Sequence, residues 1–190
     1  LIFPSNFSVA QKIDTESLYE SLEWNFVGPY RGGRSTTAAG LDSKPYTFFM
    51  GTTGGGVWKT NDAGNTWNNV SDGQITAGSI GAIAISPSDE NIIYVGTGSA
   101  DPRGNISSGN GMYKSTDFGE NWEFIGLPKA GLIGKISIHP KNSDIVYVAA
   151  LGDIFGKNPE RGVYKTIDGG KSWENIYFIS DKTGARDIEI

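Results

Sequence analysis

An all-β array of four-stranded units is the fold this sequence predicts, and three observations predict it. An eight-residue motif occurs three times, as TNDAGNTW at 60–67, STDFGENW at 115–122 and TIDGGKSW at 166–173. The copies recur about every fifty residues, a period that marks an array of one supersecondary unit. Short runs rich in Val, Ile, Tyr and Phe surround each copy and are bounded by Gly, Pro, Asn, Asp and Ser, which is the strand signal. No segment holds a helical period. Four strands per repeat at this spacing fit the blade of an antiparallel β-propeller.

Taken in order, residues 1–22 form an N-terminal segment. It opens mildly apolar, and Ser8 and Ala10 stand at the −3 and −1 positions of a cleavage site before Gln11, as in the tail of a signal peptide. The polar stretch that follows reads as a linker with a short helix at 15–21. Residues 23–190 read as a partial propeller. WNFVG at 24–28 matches WEFIG at 122–126, so 23–28 is expected to be a lone closing strand. Blade one is expected over 34–70, from RSTTAAG, YTFFMGT, GVWKT and WNNV. Blade two, over 80–126, carries IGAIAIS, NIIYVGT, GMYKS and WEFI; blade three, over 133–178, carries IGKISI, DIVYVAA, GVYKT and WENI. RDIEI at 186–190 reads as the start of a further blade. Three blades leave open flanks, so the stretch is expected to be a fragment of a ring of about seven blades, whose remaining blades are its first partners.

The motif has a mechanical reading. Asp62, Asp117 and Asp168 sit in the turn between third and fourth strands, where a carboxylate can accept from amides one or two residues on. Gly64, Gly119 and Gly170 supply the positive φ of such a turn. Trp67, Trp122 and Trp173 can cover it and fill the gap between blades. One Asp per turn is too few oxygen ligands for calcium, so no metal is expected. His139, aligned with Ser86, reads as a turn residue, and no cofactor is implied.

A net charge of −5 with scattered Lys and Arg argues against nucleic acid and anionic membrane surfaces as partners. The absence of Cys removes disulfides, thiolate metal sites and Cys nucleophiles. No stretch is long and apolar enough for a transmembrane helix. The triple glycine at 54–56 lacks the spacing and following helix of a phosphate loop.

The motif turns mark one end of the blades. The other end carries the link 28–34 and the long loops 98–110 and 151–162, and long loops on a rigid scaffold are where function collects. Six residues there are candidate ligand-binding residues: Arg31, Arg34, Asp101, Arg103, Asp153 and Arg161. Arg forks bind carboxylates, and a carboxylate pair can do acid–base work on a glycosidic bond. Tyr30, Lys157, Glu160, Asp181, Arg186 and Asp187 lie in the same region. Trp58, Tyr113 and Tyr164 fall on third strands, where blade packing accounts for them better than a sugar platform does.

The three motifs resemble Asp-box, or BNR, repeats, as in sialidase-like, xyloglucanase-like and sortilin-type propellers. GPYRGGR, GTTGGGVWKT and GVYKTIDGGKSWENIYFISDKTGA are similar to bacterial propellers of the sortilin N-terminal-like and glycosyl-hydrolase-like kind, over residues 24–190. The resemblance implies three functions. One is an extracytoplasmic module, periplasmic, surface-bound or secreted, that binds a polysaccharide or a peptide through the loop end. The second is an active glycoside hydrolase, sialidase- or xyloglucanase-like, with catalytic residues unknown here and the remaining ones expected in the missing blades. Against it, Thr53 occupies the place where the xyloglucanase family has a catalytic Asp, and a hydroxyl cannot serve as an ionised base at neutral pH. The third is a structural or assembly-factor propeller.

Overall fold

The computed structural model describes residues 33–101 and 103–190. The expected closing strand and N-terminal segment lie outside the described residues. Twelve strands form three four-stranded antiparallel sheets, each with its strands in chain order. Sheet one holds β1 (Ser35–Leu41), β2 (Lys44–Thr52), β3 (Val57–Thr60) and β4 (Asn68–Asn69). Sheet two holds β5 (Ile80–Ile85), β6 (Ile93–Thr97), β7 (Met112–Ser115) and β8 (Glu123–Gly126). Sheet three holds β9 (Ile133–Ile138), β10 (Val146–Ala150), β11 (Gly162–Thr166) and β12 (Glu174–Tyr177). No described residue is helical. These are propeller blades: β1 neighbours β5 and β5 neighbours β9, so first strands stand side by side on the inner edge.

The alternation within these short strands buries two apolar layers. Phe49, Val57, Ile80, Ile83, Ile93, Val95, Tyr113 and Trp122 fill the space between blades one and two. Tyr94, Met112, Ile133, Ile136, Val146, Val148 and Tyr164 do the same between blades two and three. Such burial is the main drive for blade stacking. Between adjacent inner strands the backbones almost touch. A Cβ on Gly81 would lie 2.0 Å from Ile133 O, and one on Gly134 would lie 2.2 Å from Arg186 O. Residues 186–190 form no strand, yet Arg186 meets Gly134 as Ile133 meets Gly81.

Blades one and two each reach into the next blade through a lysine. Lys59 Nζ donates to Phe118 O at 3.0 Å and pairs with Glu120 at 2.9 Å. Lys114 Nζ donates to Gly169 O at 3.2 Å and lies 3.7 Å from Asp144. Phe118 and Gly169 both follow the motif aspartate, so the contact is one device used twice. Lys59 is 8% exposed, with its ammonium 4.5 Å from the Phe118 ring centroid. The carbonyl and ring together compensate a charge that burial would otherwise penalise.

Candidate functional site

At one end of the blades the three motif turns share one hydrogen-bond scheme. The first hydroxyl of each motif, on Thr60, Ser115 or Thr166, donates to the aspartate Oδ1 at 2.7–2.8 Å. It also accepts the amide of Gly64, Gly119 or Gly170 at 2.8–3.0 Å. Oδ1 then accepts the amide four residues on, from Thr66, Asn121 or Ser172, at 2.8–2.9 Å. Oδ2 accepts from the side chains of the same three residues at 2.5–2.7 Å. This corrects the sequence reading, which placed the accepted amides one or two residues on. The turn needs the longer reach because two residues in succession adopt positive φ: Ala63 and Gly64, Phe118 and Gly119, Gly169 and Gly170. The hydroxyl two residues before each Asp was overlooked in the sequence, although all three motifs carry it.

These bonds stabilise the ionised carboxylates. The Thr66 side chain leads in holding Asp62 down at about 2. Asn121 does so for Asp117, also to about 2, and Ser172 holds Asp168 well below the ordinary carboxylate range. Both oxygens of each aspartate are thus engaged within its own turn. Trp122 and Trp173 carry the contact to the preceding blade, each donating Nε1 at 2.8 Å, to Val70 O and Ile125 O. Trp67 donates to Gly64 O of its own turn at 3.1 Å. Trp58 and Trp67 border an apolar hollow of about 450 Å³ on the flank of blade one.

The opposite end is open. A cleft of about 310 Å³ lies between blades one and two, where the chain enters β1 and where β6 and β7 are joined. It brings together three candidates, Arg34, Asp101 and Arg103, with Thr53, Ser79 and Asn105. A second hollow of about 260 Å³ adjoins it along the inner strands, and Asp101 borders both. Asp101 accepts from Arg186 Nη2 at 2.6 Å, and Arg186 Nε lies 3.4 Å from Ala100 O. Arg34 and Arg103 are exposed, and among the described residues neither has an acid within ion-pairing distance. Ser79 is 3% exposed, and its Oγ has no hydrogen-bond partner among the described residues.

Blade three treats its loop differently. Arg161, 6% exposed, donates to Leu151 O at 2.8 Å, to Gly156 O at 3.0 Å and to Asp153 O. This corrects its reading as a ligand-binding residue, since its Nη donors hold the loop's own carbonyls. Asp153 Oδ1 accepts the Phe155 amide at 2.9 Å, a local turn away from the cleft. Arg31 lies outside the described residues. Tyr164 is buried and bonded to Glu160 at 3.0 Å, and burial followed by that carboxylate pushes its phenol up to about 12. Tyr113 is 4% exposed, and its hydroxyl shares a hydrogen bond with Thr76 at 3.1 Å. No group of three or more acid, His or Cys side chains is placed to hold a metal among the described residues. No described helix is long and apolar enough to cross a membrane.

Known proteins share this architecture. Residues 55–183 match the model of the Sortilin-Vps10 family, described as sortilin, neurotensin receptor 3. The chain is 29% identical to a xyloglucanase of Hypocrea jecorina over 135 residues, which are 64% of this chain and 15% of the enzyme. It therefore spans about a seventh of that relative's length. An ancestral GH74 enzyme superposes with a TM-score of 0.65 at 21% identity, over 88% of this chain and 21% of that one. YCF48 bound to D1 peptide superposes with a TM-score of 0.54 at 17% identity, over 78% of this chain and 42% of that one. At these identities the two structures show the fold.

Proposed function

Because the chain belongs to the Sortilin-Vps10 family and folds as glycoside-hydrolase-like propeller blades, we propose that it is part of an extracytoplasmic protein that binds a polysaccharide through the loop end of its blades. One observation carries this reading. The aspartates of the box end are engaged within their own turns, whereas the cleft at the loop end is lined by two arginines with no acid partner among the described residues. Similarity to a xyloglucanase supports a polysaccharide as the ligand class. Cleavage needs a second carboxylate across the glycosidic bond. Asp101 is the one acid among the described residues lining the cleft, and Arg186 pairs it. Binding is therefore the activity assigned to these blades.

Affinity electrophoresis of the full-length protein against a panel of neutral and acidic polysaccharides tests the reading. Retardation that disappears in an Arg34→Ala, Arg103→Ala double variant is the expected result. Retardation that survives the double variant overturns the placement of the site. A peptide ligand at the same cleft is the second reading, favoured by the likeness to YCF48 bound to D1 peptide. Export rests on Ser8 and Ala10 before Gln11. Fractionation should find the native protein outside the cytoplasm, and a purely cytosolic protein would remove that part of the proposal.

A further inference from the structure

The cleft between blades one and two has a chemistry more specific than polysaccharide binding in general. Arg34 enters it from the link into β1, and Arg103 from the β6–β7 loop. Among the described residues neither has an acid partner, although Asp101 is two residues from Arg103 in the chain. Asp101 is instead taken by Arg186, at 2.6 Å. The cleft is thus locally positive in a chain of net charge −5. Two arginines line one cleft without an acid partner, and the planar fork of a guanidinium suits a carboxylate.

Ser79 lines the same cleft, is 3% exposed, and leaves its Oγ unpartnered among the described residues. A buried hydroxyl without a partner is costly, and this one lies beneath the cleft wall, out of a ligand's reach. Much of the remaining lining is short and polar, with Thr53, Ser99 and Asn105 against the single aliphatic Ile106. Hydroxyls and amides of this kind match a sugar ring better than peptide side chains, which call for apolar pockets. The cleft, at about 310 Å³, suits one charged unit, and the adjoining hollow of about 260 Å³ can take the chain beyond it.

We infer that this cleft is a subsite for a uronic acid unit of an acidic polysaccharide, its carboxylate held by Arg34 and Arg103. The inference rests on the polysaccharide reading above.

Calorimetric titration of the full-length protein with an oligogalacturonide, its methyl ester, a neutral xyloglucan oligosaccharide and a peptide with a free C-terminal carboxylate tests it. The oligogalacturonide should bind and its methyl ester should not. Removal of either arginine should weaken binding about tenfold, the scale of one charge-assisted bond. Ser79→Ala, beneath the cleft wall, should leave binding unchanged and the melting temperature unchanged or higher, because it removes an unpaired buried hydroxyl. Equal binding of the acidic and esterified sugars, or acidic binding indifferent to Arg103→Ala, overturns the inference. Binding of the neutral oligosaccharide alone overturns it too and leaves the polysaccharide reading standing. If only the peptide binds, or nothing does, both fall.

Discussion

The two ends of the blades contrast. At the box end one set of bonds is repeated three times, with hydroxyl, Asp and Gly in the same roles and distances agreeing within about 0.2 Å across the copies. At the loop end the strand borders still repeat, with Thr52 and Thr97 donating alike to Gly56 O and Gly111 O, but the loops themselves do not. Blade one has a short turn of glycines, blade two a long loop bearing Arg103, and blade three a loop closed on the buried Arg161. Repeated polar chemistry is satisfied within the scaffold, and the polar groups left unsatisfied lie where the repeat breaks down.

The contrast can be broken by moving the two ends separately. The largest effect should come from Trp122→Ala. The ring is 8% exposed and its Nε1 bonds the preceding blade, so denaturant unfolding of the intact protein should show a loss of about 3–5 kcal/mol. A loss below about 1 kcal/mol means that the ring does not weld the blades. Lys59→Ala should cost about 2 kcal/mol by the same assay, mainly through its carbonyl bond. Glu120 is two-thirds exposed and its pairing adds little. An equal loss in Glu120→Ala would reverse that assignment.

Asp117→Ala should cost about 1 kcal/mol, since its turn is partly solvated. The box carboxylates also set an acid limit. Asp62 and Asp117 are held at about 2 in the fold, against an ordinary value of 3.8. Their contribution is complete above that ordinary value and is lost as pH falls from it through the folded values. Melting temperature should therefore fall between about pH 4 and pH 2, and a Thr66→Ala, Asn121→Ala double variant should flatten that fall. A melting temperature indifferent to acid would remove the box from the stability account. The smallest effect on stability is expected at Arg103→Ala, within about 0.5 kcal/mol of the parent, because the side chain is exposed.

Strands and turns were readable because each appears three times, and Asp-x-Gly followed at a fixed distance by Trp marks the same turn in every unit, with Trp122 and Trp173 reaching the preceding blade. The lysine interlock went unread, although VWKT, MYKS and VYKT place Lys at the same step of every third strand. The reach of the box aspartate was misjudged because spacing alone does not reveal two successive residues with positive φ. Loop charges were the least legible. Arg161 and Arg103 look alike in sequence, yet one is buried on its own loop and the other faces a cleft. The Asp101–Arg186 pair joins residues far apart in the chain, and no local pattern marks it.

The central claim is that the box end holds the blades and the loop end binds. Its most direct test is the affinity of the full-length protein for an oligogalacturonide, measured side by side in Asp117→Ala and Arg103→Ala. The account predicts affinity within about twofold of the parent for Asp117→Ala and a loss of about tenfold for Arg103→Ala. A folded Asp117→Ala protein that no longer binds, beside an Arg103→Ala protein that binds as the parent does, would contradict it.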